Sequence, residues 1–141
     1  MKYSLLPTLL LFFSLFSMSL SAQNVVEEQV ASIKRLMSEK GYEVTHGITY
    51  GSLNDDEADS YDIDLDKGWD YKICAVCDGD CGDIDLCIFD DNGNQVDCDK
   101  QDDDLPILDV SPKYSAEFKL KIYMPECEID PCKFSIMIFG R

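Results

Sequence analysis

The chain has 141 residues, with 28 acidic side chains against 12 basic ones and a formal net charge of -16. Such a surface repels nucleic-acid phosphates and anionic lipid, which argues against DNA, RNA and direct membrane binding and makes cations and basic protein surfaces the natural counterparts. Apolar residues still form 45% of the chain, and Ile, Leu, Val, Phe and Tyr recur at regular spacing, which argues for a folded chain.

Residues 1–22 read as a cleaved secretory leader: Lys2 supplies a positive start, Leu5 to Leu20 an apolar stretch, and Ser19, Ser21 and Ala22 the small residues before a mature start at Gln23. Loss of Lys2 takes the net charge from -16 to -17. No cysteine stands at the expected cleavage point, so lipid anchoring there is not expected. From Val26 to Lys40 the apolar residues Val26, Val30, Ile33, Leu36 and Met37 recur at helical spacing, which predicts an amphipathic helix within residues 23–42, ending at Gly41. Its expected place is over an open end or edge of a sheet domain covering residues 43–141.

Beyond Gly41 the period changes to two. Strands are predicted at Glu43–Leu53, Ser60–Leu65, Trp69–Val76, Ile84–Phe89, Gln95–Cys98, Pro106–Val110, Ala116–Met124 and Lys133–Phe139. The clearest sets Phe118, Leu120, Ile122 and Met124 on one face and Glu117, Lys119, Lys121 and Tyr123 on the other, one buried and one wet. Trp69 alternates with Tyr71, Ile73 and Ala75 and is expected in the core. Asp90-Asp-Asn-Gly-Asn94 predicts a tight hairpin and Asp66-Lys-Gly68 a further turn. The fold class expected is all-β, a jelly-roll-like sandwich of about eight strands with one short N-terminal helix.

The spacing of the seven cysteines suits local rings, Cys77 with Cys81 and Cys127 with Cys132. A hairpin centred on Asn92 and Gly93 brings Cys87 opposite Cys98 as a third pair. Cys74 is then the odd thiol, expected as a half-buried strand residue. Zinc and thiol exchange at Cys74-Ala-Val-Cys77 are the rival readings. A secreted chain disfavours the first, and the absence of a helix start at the motif disfavours the second.

Eleven aspartates against the single Lys100 lie between Asp78 and Asp104. Calcium takes oxygen ligands of this kind, and Asp78, Asp80, Asp83 and Asp85 converge if the Cys77–Cys81 ring folds back, with Asp102, Asp103 and Asp104 approaching from a neighbouring loop. The spacing fits no EF-hand, so solvated turn aspartates are the competing expectation. Asp85, on the strand with Ile84 and Leu86, is expected to cap the backbone donors of a neighbouring loop. No catalytic constellation is predicted: His46 is the single histidine, and among so many acids a carboxylate pair arises by chance. Trp69, Tyr50, Tyr61, Tyr71 and Phe89 are the aromatic residues available for a carbohydrate platform.

Gly68-Trp-Asp-Tyr71, Asp83-Ile-Asp-Leu86 with Ile88 and Asp90, and Asp103-Asp-Leu-Pro106 followed by Tyr114 to Tyr123 follow one another in an order that resembles the bacterial pre-peptidase C-terminal domain. The resemblance spans roughly residues 45–139 and is nearest to a cysteine-bearing branch with a Cys-Asp-x-x-Cys loop ahead of the Asp-Leu strand and a second pair ahead of the last strand. It implies a jelly-roll-like sandwich, sometimes calcium-stabilised, serving in secretion, substrate attachment or stabilisation of partners. No protease accompanies the domain in this chain, a departure from the family's usual accessory role. The function expected is a secreted or periplasmic, non-catalytic module binding a protein or polysaccharide surface, the protein being basic. The alternatives are an acidic inhibitor or immunity-type protein acting on a basic partner and, behind it, a small hydrolase.

Overall fold

A computed structural model describes residues 18–141. Of the expected leader, residues 1–17 lie outside the described residues. The first element is helix α1 (Met18–Glu39), followed by β1 (Glu43–Val44), β2 (Thr49–Leu53), β3 (Glu57–Leu65), β4 (Tyr71–Cys77), β5 (Cys81–Phe89), β6 (Gln95–Asp99), β7 (Ile107–Val110), β8 (Ala116–Cys127) and β9 (Cys132–Gly140). The strands form two antiparallel sheets. One has the order β1-β9-β4-β7 with β2 also on β9, and the other β3-β8-β5-β6. Every connection except β1 to β2 and β5 to β6 passes from one sheet to the other, so the chain is an all-β sandwich.

The core lies between the sheets. Ile73 and Ala75 of β4, Leu108 and Val110 of β7, and Phe134, Ile136 and Ile138 of β9 face Ile84, Leu86 and Ile88 of β5 and Phe118, Leu120, Ile122 and Met124 of β8. Each of these side chains larger than alanine contributes about 1.5–3 kcal/mol by leaving water. The alternation predicted along β8 is the one observed, while two further expectations are corrected. The stretch Glu43–Leu53 is two strands, and Trp69 precedes β4. With 36% of its surface exposed, Trp69 is no core residue.

The outer face of the β9-β4 sheet is also dry. Cys74, Val76, Met137 and Phe139 point away from the sandwich core and are covered by Val26, Val30, Met37 and Tyr42. Helix α1 therefore lies across a sheet face, not over an end or edge. Its stripe is Val26, Val30, Ile33 and Met37, whereas Leu36 is turned off it and is 44% exposed. The near-continuous apolar run of β9 follows, since a central strand covered on both sides has no wet face to mark with polar residues.

Three disulfides close the expected pairs, Cys77–Cys81, Cys87–Cys98 and Cys127–Cys132, which suits an oxidising compartment. Cys87 and Cys98 face each other across β5 and β6. The hairpin between these strands has a three-residue loop. Asp90 N donates to Asn94 O at 2.9 Å and Gly93 N to Asp90 O at 2.9 Å, with Gly93 at φ 80° supplying the left-handed residue such a loop requires.

Aspartates close the sandwich. Asp97 and Asp99 stand opposite the core residues Ile88 and Leu86, and their carboxylates accept from Asp109 N at 3.0 Å and Ile107 N at 2.9 Å on β7 of the other sheet. These bonds lace two edge strands and occupy β7 donors that would otherwise face water. Replacing Asp97 and Asp99 together by alanine is expected to cost about 1 kcal/mol per bond, read from the urea midpoint, and to increase self-association through the opened β7 edge. At the hairpin tip, Asp90 accepts from Asn94 Nδ2 at 3.0 Å, Asn94 N at 2.8 Å and Asn92 N at 3.0 Å. The Asn94 side chain above all, then the backbone donors, hold its carboxyl below the usual aspartate value. The contribution of this cap is present above about pH 4, the unfolded-state value, and is lost as pH falls through the lower folded-state value. An NMR titration of side-chain carboxyls is expected to show Asp90 protonating at lower pH than an unperturbed aspartate.

Candidate functional site

At one end of the sandwich the β1–β2 connection, the last residues of β3 and the turn before β4 enclose a cleft of about 430 Å³, lined by Glu43, Val44, Thr45, His46, Asp64, Asp66, Trp69 and Tyr71. The turn Asp66-Lys-Gly68 lifts Trp69 out of strand alternation. Its ring stacks on Tyr71 with centroids 6.2 Å apart and planes at 22°. Tyr71 is buried, and its hydroxyl accepts from Asp66 N at 3.1 Å. Gly140 at the end of β9 lets the ring settle, because a Cβ there would lie 2.9 Å from Trp69 Cε3 and 2.8 Å from Thr45 Cγ2.

His46 braces the opposite wall. Its Nε2 lies 2.9 Å from Asp64 O and its Nδ1 2.9 Å from Thr45 Oγ1. A carbonyl can only accept, so Nε2 carries the proton that Asp64 O receives, while Thr45 Oγ1, the partner of Nδ1, also lies 3.3 Å from Ile138 O of β9. The Nε2 contact holds the β1–β2 connection to the end of β3, and the Nδ1 contact lies within the connection itself. Glu43, Asp64 and Asp66 bring three carboxylates to the cleft, and no lysine or arginine lines it. A partly exposed indole beside several carboxylates is chemistry suited to a cationic side chain.

The acidic stretch from Asp78 to Asp104 separates into groups. Asp78 is buried at the Cys77–Cys81 ring, where Oδ2 accepts from Lys133 N at 2.8 Å and Oδ1 from Asp80 N at 3.3 Å, fastening the ring to β9. Asp80 is half-buried, and its carbonyl accepts from Glu128 N at 2.8 Å, joining the two small disulfide rings. Asp102, Asp103 and Asp104 are exposed, with Asp103 Oδ1 accepting from Leu105 N at 3.0 Å. Asp83 is half-buried and Asp85 buried, and Oδ1 of each has no hydrogen-bond partner. Asp85 therefore does not satisfy the expectation of a loop cap through that oxygen.

Burial raises the Asp83 carboxyl above the usual aspartate value. Backbone donors of Asp103 and Ile84 oppose the shift, and the charges of Asp102 and Asp103 add to it. Burial likewise raises Asp85, helped by Asp83, Asp99 and Asp103 and opposed by Lys100. Among the described residues no three His, Cys, Asp or Glu side chains are already gathered as a metal-ligating group.

The other aromatic residues do not share a platform: Tyr50 is exposed on β2 of one sheet, Tyr61 turns toward the core from β3 of the other, and Phe89 sits half-buried on β5. The site around Trp69 escaped the sequence reading because period-two counting carried the strand one alternation too far. Its signal was the Asp66-Lys-Gly68 turn immediately before the indole. Cys74 is free and fully buried, and burial pushes its thiol up to about 12. Native protein at pH 8 is expected to leave Cys74 unmodified by iodoacetamide and to react at one site per chain once unfolded under non-reducing conditions, as counted by mass spectrometry.

Comparison of the sequence with protein-family models and with curated proteins finds no match. Among the described residues no helix is long and apolar enough to cross a membrane.

Proposed function

We propose that this chain is a secreted or periplasmic, non-catalytic binding module that docks on a basic protein surface through the Trp69 cleft. The observation that carries the reading is the association of an exposed indole with Glu43, Asp64 and Asp66 in a cleft that no lysine or arginine lines. The net charge of -16 draws a cationic partner from a distance, while the indole and its neighbouring carboxylates supply short-range selectivity that charge alone lacks. The scatter of Tyr50, Tyr61 and Phe89 favours a protein surface over a polysaccharide, which needs aromatic rings aligned on one plane. An inhibitor or immunity-type protein is a special case of this docking, in which the basic surface covered is an enzyme's active site.

A fluorescence titration with an arginine-rich peptide, using Trp69 as the sole indole, tests the reading. The intrinsic emission of the wild type is expected to change on binding, with affinity falling steeply as salt rises. In a parallel competition with a labelled peptide, Trp69→Ala, which leaves the charge unchanged, is expected to weaken binding by about fivefold or more, the scale of one cation–π contact. Equal affinity of wild type and Trp69→Ala would remove the cleft from the proposal and leave unspecific charge attraction.

A further inference from the structure

A second cavity lies on the open face of the sandwich, away from the Trp69 cleft. Ile84, Leu86 and Ile88 of β5 point into the core, so Asp85, Cys87 and Phe89 leave the strand on the outer face of the sheet that α1 does not cover. Pairing fixes their neighbours. Tyr123 of β8 stands opposite Asp85 and Lys121 opposite Cys87, while on the other side Cys98 of β6 stands opposite Cys87 and closes a disulfide with it. Leu86 pairs with Asp99, which brings Lys100, the next residue, alongside Asp85. Asp85, Cys87, Phe89, Lys100, Lys121 and Tyr123 line a cavity of about 190 Å³, smaller than the about 300–1,000 Å³ of pockets for drug-sized ligands.

The lining combines two lysines with a carboxyl that lacks a donor. Asp85 is 8% exposed, and its Oδ1 is buried without a hydrogen-bond partner, a costly state for a polar atom. Lys100 and Lys121 are exposed and form no salt bridge among the described residues, whereas Lys119, further along the same face of β8, pairs with Asp62. Two lysines against one aspartate give the cavity a formal charge of +1, in a chain whose net charge is -16. A monoanion balances that charge, and the surrounding field repels a dianion. The Asp85 oxygen calls for a donor that adds no positive charge beside the two lysines, which a hydroxyl supplies and an ammonium does not. The terminal torsion of an aspartate is broad, so rotation of the carboxyl presents an oxygen to the cavity. The Tyr123 hydroxyl already donates to Asp56 Oδ1 at 2.7 Å, which leaves its ring, Phe89 and the disulfide as apolar walls for a short carbon skeleton. We propose that this cavity binds a small hydroxycarboxylate of the lactate type, its carboxylate held by Lys100 and Lys121 and its hydroxyl donating to Asp85.

Titration of the oxidised protein with racemic lactate, propionate and sodium chloride at neutral pH, followed by amide NMR, tests this. Lactate is expected to shift the amides of Asp85, Cys87 and Lys121 in a saturable way, beyond the effect of sodium chloride at equal ionic strength. Propionate, which lacks the hydroxyl, should bind about tenfold more weakly, since it leaves the Asp85 oxygen unpaired. Lys100→Gln and Lys121→Gln should each weaken lactate binding by about tenfold, the scale of one charge-assisted bond, while Lys119→Gln should leave it unchanged. Asp85→Ala should abolish the preference for lactate over propionate; if that variant does not fold, the comparison of the two acids on the wild type carries the same test. Equal affinity for lactate and propionate would overturn the proposal, as would equal weakening by Lys119→Gln, the mark of diffuse charge attraction. Shifts no larger than those of sodium chloride would show that Asp85 is satisfied by Lys100 within the protein and that the cavity holds no such ligand.

Discussion

A carboxylate oxygen accepting from a backbone N–H is the interaction on which this sandwich depends. Sheets that exchange strands at nearly every connection leave many amides at crossovers and edges without a partner in their own ladder. Aspartate, short enough to reach the main chain beside it, meets these donors at Lys133 N from Asp78, Ile107 N from Asp99, Asp109 N from Asp97 and Cys127 N from Asp55. The acidic composition thereby does structural work, and many of these carboxylates are tied to the main chain. The same accounting singles out Asp83 and Asp85, where a buried carboxylate oxygen remains without a donor.

Coverage of one sheet by α1 decides which surfaces remain for partners. The β9-β4 sheet spends its outer face on Val26, Val30 and Met37, whereas β8 presents Glu117, Lys119 and Lys121 to solvent. Lys119 pairs with Asp62 of β3 across that open face, a surface pair of small energetic weight. The Trp69 cleft lies where the β1 side of one sheet approaches the β3 side of the other, joined by His46 to Asp64. Rigid strands thus position a site composed largely of turn and strand-end residues, an arrangement in which loops carry recognition on a fixed scaffold.

Much of the fold was legible because burial on one face enforces a period of two. Phe118, Leu120, Ile122 and Met124 announced both the strand and its buried face. The cysteine pairs were legible because short separations and a hairpin register leave few geometries open. Legibility failed where two structures share one local pattern. Trp69 alternates with Tyr71 as a strand residue would, yet a preceding turn removes it from the ladder. Likewise, Glu43 to Leu53 reads as one extended run, although only its two ends pair with β9. The helix stripe was legible, but its destination was not, since apolar residues at helical spacing do not say whether they meet an end, an edge or a face.

The sequence by itself determined the compartment chemistry implied by paired cysteines, the β class and most of the strand faces, because these follow from charge, spacing and alternation along neighbouring residues. Tertiary structure decided what each carboxylate does. Asp78 and Asp85 are chemically identical and both buried, but Asp78 meets Lys133 N from a strand more than fifty residues away, whereas Oδ1 of Asp85 meets no donor. Tertiary structure also assembled the cleft from Glu43, Asp64 and Trp69, residues separated along the chain. The physical reason is the same in both cases: hydrogen bonding and desolvation depend on which distant backbone arrives at a side chain, and that is set by sheet pairing across the whole domain.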